Sequence, residues 1–263
     1  MKGWLKELDE LLRGNKTRTE LLAQGTAQLR IAPYVTLSIL LGAFYGACMG
    51  LYSVLSRTPP VPEQLVASTV KVPLLFLLTL VVTFPSLYVF SALLRAKLNP
   101  LDALRIIIAS IAVNLAVLAS FGPITAFFTL TTTSYPFMKL LSFFFLAVSG
   151  AIGLGFLLRT LRRTEEARSA APAGEGVKDA GATPSAGPEQ AVRRAMPYED
   201  RVRPVSRRVF RVWLVLYALV GVQMGWILRP FIGTPDLPFV WFRQRGGNVF
   251  LDVLGTFFEI FRS

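Results

Sequence analysis

Two stretches of this chain carry almost no charge over more than the thickness of a bilayer. From Ile31 to Pro62 the only charged side chain is Arg57, and from Val72 to Leu94 there is none. A helix rises about 1.5 Å per residue and a hydrocarbon core is about 30 Å thick, so about twenty apolar residues suffice to cross. Such segments need lipid or a very large apolar core around them. A buried helix of a soluble domain is the competing reading. Several runs near or above this length, in a 263-residue chain that is 53% apolar and only 17% charged, argue against it. The expected fold is therefore all-α, a polytopic helical transmembrane bundle of about five spans, with amphipathic helices at both termini.

Turn and breaker residues divide the chain. The first span is predicted over 31–55 and is stopped by Thr58-Pro59-Pro60-Val61-Pro62. The second covers 72–94, bracketed by Lys71 and Arg95, with Pro85 removing a backbone donor so that the helix kinks near Val81. Asn99-Pro100-Leu101-Asp102 reads as a helix start: Asn caps, Pro suits the first helical position, and Asp favours the positive end. The third span then runs over 101–121. Gly122-Pro123 is expected to break it, leaving 123–135, with Thr131-Thr132-Thr133-Ser134, as a loop or a shallow re-entrant turn. The fourth span covers 136–158, and together these four make a membrane region over 31–158. The fifth is predicted over 209–231, with Arg211 reaching toward the near interface.

The flanks differ in kind. Within 1–30, Trp4, Leu5, Leu8, Leu11 and Leu12 fall on one helical face opposite Lys2, Lys6, Glu7, Asp9 and Glu10, closed by Gly14; Thr17 and Glu20 then form a capping box. Such helices lie on a membrane surface or dock on their own bundle. These first thirty residues contain ten charges and no apolar leader core, so span one is expected to serve as its own insertion signal. Residues 159–208 read as a basic linker: from Thr164 to about Ser206 Ala, Gly, Pro, Glu and Ser dominate, too few large apolar residues to offset ordering entropy. Over 232–263, Phe239, Trp241 and Phe242 precede an apolar helix from Asn248 onward, too short to span.

Orientation follows from the basic residues. With five spans, twenty Lys and Arg fall on the side of the amino terminus and seven on the other, leaving Arg211 at its interface. Cytoplasmic loops carry the excess, so the expected placement is a multi-pass protein of the cell (inner) membrane, amino terminus cytoplasmic and carboxyl terminus outside. The net charge of +12 is this loop bias and not a nucleic-acid stripe, and no nucleic-acid partner is expected.

Chemistry is sparse. There is no histidine, which removes the commonest metal ligand and general base; no catalytic residue, metal site or cofactor is expected. The one cysteine, Cys48, excludes an internal disulfide. The carboxylates lie outside the apolar stretches, so no buried acid is available to carry protons or a coupling cation. Asn114, Gln223 and Arg229 are the candidates for a polar pathway or polar contacts. For the two mid-span amides, hydrogen bonding across helices is the commoner use.

Small residues offer a clearer pattern. Ser38, Gly42, Gly46 and Gly50 recur every four residues in span one, a tandem Gly-x-x-x-Gly ridge that lets another helix approach closely. Ala147, Ala151 and Gly155 repeat the pattern in span four, and Gly221 and Gly225 in span five. Packing inside one bundle and homo-oligomerisation both use such ridges.

Gly42 to Gly50, Lys71-Val72-Pro73-Leu74-Leu75, Phe84-Pro85-Ser86-Leu87-Tyr88 and Trp226-Ile227-Leu228-Arg229-Pro230-Phe231 carry a resemblance. Through them the chain resembles a family of uncharacterised bacterial multi-pass membrane proteins, and by span count and hydropathy it is similar to Yip-type five-span proteins. The resemblance implies a helical membrane bundle and assigns no catalytic residue.

The functional expectation is a non-enzymatic assembly, scaffold or partner-recruiting factor. Its partners are the lipid bilayer and either a second copy or another membrane protein. The alternative is a channel or transporter component using Asn114, Gln223 and 131–134. A lipid-acting enzyme engaging a head group through Arg229, Lys139 and Asp236 comes third.

Overall fold

The computed structural model describes residues 2–14, 29, 31–56, 59–93, 100–170, 199–229, 231–233 and 238–242. Among them the chain is helical, with no strand: α1 (Lys2–Leu12), α2 (Ile31–Leu55), α3 (Pro62–Leu93), α4 (Pro100–Ser120), α5 (Gly122–Thr131), α6 (Tyr135–Ala170) and α7 (Glu199–Leu228). The capping box at Thr17–Glu20, linker residues 171–198 and the helix expected after Asn248 lie outside the described residues.

Four segments are long and apolar enough to cross a membrane: Ile31–Leu55, Pro62–Ser86, Leu101–Thr131 and Tyr135–Thr164. The apolar part of α7, Val212–Leu228, is shorter. The helices run past the sequence-derived boundaries in three places. Span two begins at Pro62 rather than Val72, because Pro fits the first helical turn and Glu63 favours the positive helix end. Lys71 is therefore not a bracket but lies within the helix. Span three is interrupted only at Phe121, and a helix resumes at Gly122 where a loop was expected. Phe121 keeps right-handed helical dihedrals, the Thr125 amide bonds the Phe121 carbonyl at 2.9 Å, and Pro123 falls where the missing donor costs least, so α5 continues α4 to Thr131. The expected loop or re-entrant turn shrinks to 132–134. Finally, residues read as linker are helical at both margins, since α6 runs on to Ala170 and α7 starts at Glu199.

Hydrogen bonds define the two ends of the bundle. Tyr52 at the close of α2 donates to the Thr133 carbonyl at 2.6 Å, and Gln64 at the start of α3 donates to the Phe231 carbonyl at 2.8 Å. One end thus gathers the turn after α2, the turn 132–134 and the segment after α7. At the opposite end α1 packs on α4, burying Leu11 while Lys6, Asp9 and Arg13 stay in solvent. Between them α2 packs on α3, α4 and α5, α4 packs on α6, and α7 packs on α3. The core centres on α4, whose Ile106, Ile107, Leu115 and Leu118 are buried, and on Tyr45, Met49 and Tyr52 of α2.

Candidate functional site

The small-residue ridge of α2 is filled by α3. A Cβ on Gly50 would stand 2.8 Å from the Leu65 Cα, one on Gly46 2.4 Å from the Ser68 carbonyl oxygen, and one on Gly42 3.0 Å from the Pro73 Cα. The neighbours are backbone atoms, which have nowhere to move. Ser38 completes the stripe, buried, its hydroxyl donating to the Tyr34 carbonyl at 2.7 Å. On α6 the placement differs from the expected ridge: Ala147 and Ala151 are exposed and a Cβ on Gly155 would meet open space. The packed residue is Gly153, where a Cβ would lie 2.7 Å from that of Asn114. A Cβ on Gly221 would lie 3.6 Å from Thr79 and one on Gly225 3.9 Å from Leu75, ordinary contact distances.

Beside the α2 seam, α3 carries a polar stripe. Gln64, Ser68 and Lys71 follow at i, i+4 and i+7, which places them on one helical face. All three are buried, Lys71 to 1% exposure. Gln64 and Ser68 both donate to the Phe231 carbonyl, and the Lys71 ammonium donates to the Trp241 carbonyl. The stripe thereby holds the described parts of the segment after α7, a strap running past the start of α3. Ile232 of the strap is buried, and Gly233 adopts a left-handed φ of 79°, where an added Cβ would stand 3.1 Å from the Gln64 side chain. A side chain there would be both strained and crowded. The Lys71 ammonium also sits 5.3 Å from the Phe242 ring centroid, a cation–π contact.

This cluster has a physical rationale. A backbone carbonyl outside a helix that is buried against protein needs a protein donor. Gln64, Ser68 and Lys71 supply those donors. Sequence reading misses them because a lone Lys between Val70 and Val72 reads as the edge of a span. The usable signal was Pro62-Glu63 as a helix start, which puts the three polar residues in register on one stripe.

The candidates for a polar pathway do not converge. Asn114 is buried at the α4–α6 contact, one turn from Ser110, whose hydroxyl donates to the Gly153 carbonyl at 2.7 Å; its own Oδ1 has no hydrogen-bond partner. Gln223 is exposed on α7, which packs on α3. Arg229 stacks its guanidinium 3.5 Å from the Trp226 ring centroid. Replacing Asn114 by Ala removes a buried acceptor that gains nothing, which offsets the small cavity created. The variant is expected to melt within about 1 kcal/mol of wild type in a detergent thermal-shift assay. A loss several times larger would show that the amide carries an essential contact. Among the described residues there is no group of three His, Cys, Asp or Glu side chains able to hold a metal ion. No family model, curated protein or solved structure matches the chain significantly.

Proposed function

We propose that the protein is a non-enzymatic assembly or scaffold factor of the cell (inner) membrane, crossing it five times with its amino terminus cytoplasmic and its carboxyl terminus outside. The observation that carries the membrane part is the apolar belt. Ile39, Leu40 and Phe44 of α2, Val81 and Val82 of α3, Phe127 and Leu130 of α5, and Phe143 and Phe144 of α6 all point outward. In water a patch of this extent would aggregate; in lipid it is the solvated surface. The scaffold part is supported by how polar groups inside the bundle are used. Ser110, Tyr52 and Gln64 bond across elements, and Ser38, Thr79, Thr83, Thr125 and Thr129 return their hydroxyls to carbonyls of their own helices. The basic flanks on the side of the amino terminus supply the surface that recruits partners, and they favour that side as cytoplasmic.

Carbonate and high salt are expected to leave the protein in the membrane pellet, with detergent releasing it, because spans of this length bury apolar area at about 25 cal/mol per Å². Release by carbonate would contradict insertion. The scaffold reading is tested by reconstituting purified protein in liposomes and measuring ion and small-solute flux: the expected flux equals that of empty liposomes. Specific flux, lost in an Asn114 or Gln223 variant, would replace the scaffold with the channel reading.

A further inference from the structure

The polar stripe of α3 does not end at Lys71. Thr79, Thr83 and Ser86 follow further along the helix, and Thr79 and Thr83 are buried to 3% and 4% exposure. Thr79 lies 3.6 Å from where a Cβ on Gly221 of α7 would stand, and Ser86 accepts a hydrogen bond from the Trp213 indole nitrogen at 3.0 Å. A stripe of polar side chains thus runs almost the length of a membrane helix, covered by α7 and then by the strap.

The cover is attached unevenly. At its mid-helix glycines an added Cβ would meet only ordinary neighbours, at 3.6 Å for Gly221 and 3.9 Å for Gly225, whereas across the α2–α3 seam it would fall 2.4 to 3.0 Å from α3. Its outward residues Val212, Val215, Leu219 and Val222 are exposed. Between helices in lipid there is no hydrophobic driving force, so close packing and hydrogen bonds must hold them together. α7 buries Trp213, Leu214, Trp226 and Leu228, but its backbone stands off from α3 at Gly221 and Gly225, and among the described residues the bonds to α3 cluster at two points: Trp213 to Ser86, and the strap to Gln64, Ser68 and Lys71.

From this we infer that α7 and its strap form a hinged cover over the polar stripe of α3, latched at the strap by Lys71, Ser68 and Gln64. Releasing the latch lets α7 swing away from α3, while the tightly interlocked α2, α3, α4 and α6 keep their arrangement. The proposal is independent of the scaffold reading, since it concerns only how one helix is held.

The test uses the full-length protein in lipid nanodiscs with Cys48→Ala and spin labels at cysteines replacing Val70 on α3 and Val222 on α7, both exposed. Electron-electron double resonance is expected to give one narrow distance in the otherwise wild-type chain. With Lys71→Met, which keeps the bulk of the side chain but removes the donor, the distribution is expected to become about twofold wider or bimodal, as for release of a docked element. A control pair at Leu40 on α2 and Ile152 on α6, also exposed, is expected to stay narrow. Should Lys71→Met fail to fold, the double variant Gln64→Leu, Ser68→Ala provides the same comparison with the ammonium retained. An unchanged α3–α7 distribution overturns the latch. Equal broadening of both pairs overturns it too, because it makes the cluster a general core element and not the fastening of one helix.

Discussion

Gly46→Leu is expected to prevent assembly of the bundle. The β-carbon alone would lie 2.4 Å from the Ser68 carbonyl oxygen and 2.8 Å from the Thr69 Cα, so even Gly46→Ala demands that two helix backbones separate. Overpacking a core costs about 1 to 3 kcal/mol when side chains can adjust. Here they cannot, and moving α3 also pulls Ser68 from the Phe231 carbonyl. The expected loss is therefore about 3 kcal/mol or more, at the top of that range. Fluorescence-detected size exclusion with a thermal ramp measures it directly. The expected trace shows low yield and an aggregated peak for Gly46→Leu beside a wild-type profile for Gly150→Leu, where an added Cβ meets open space. Matching profiles would mean that α2 and α3 are not in backbone contact.

The second large effect separates two glycines on one helix. Gly153→Leu pushes a side chain into Asn114, whose Cβ would be 2.7 Å away, and breaks the 2.7 Å bond from Ser110 to the Gly153 carbonyl. The expected cost is again about 3 kcal/mol, combining overpacking with a lost buried hydrogen bond. Gly155→Leu adds its side chain to an unoccupied face and is expected to stay within about 0.5 kcal/mol of wild type. Melting temperatures of the two variants in the same detergent give the comparison. Equal damage, or greater damage at Gly155, would put the face of α6 defined by Ala147, Ala151 and Gly155 against a partner.

That contrast also marks how far sequence reading reaches. Charge-free length predicts four long apolar helices well, because the cost of a charge in lipid is large and local. Pro100 and Asp102 identify the start of α4 for an equally local reason, and Asp102 pairs with Arg105 at 3.4 Å. The α2 ridge is legible because three glycines at four-residue spacing leave one face bare along the helix. On α6 four-residue spacing marks a face that points away from the bundle, since Ala147 and Ala151 are exposed and Gly155 meets open space. Which side of α6 meets α4 depends on Ser110 and Asn114, residues of another helix. Lys71 fails for a related reason: a lysine beside an apolar run marks a boundary only when water waits there, and in this chain strap carbonyls do. Pro123 misleads because a proline placed at the first turn of a helical segment opposes the helix far less than one in its middle.

The central claim is a bundle that crosses the membrane an odd number of times from a cytoplasmic amino terminus. Cysteines placed singly at Ser169, Ser185 and Ser263 in a Cys48-free chain test it with an impermeant thiol reagent applied to intact cells. The expected result is protection at Ser169 and Ser185 until the cells are permeabilised, and labelling at Ser263 without permeabilisation. Labelling at Ser185 in intact cells would invert the orientation; protection at both Ser185 and Ser263 would remove α7 from the spans and contradict the five-span account.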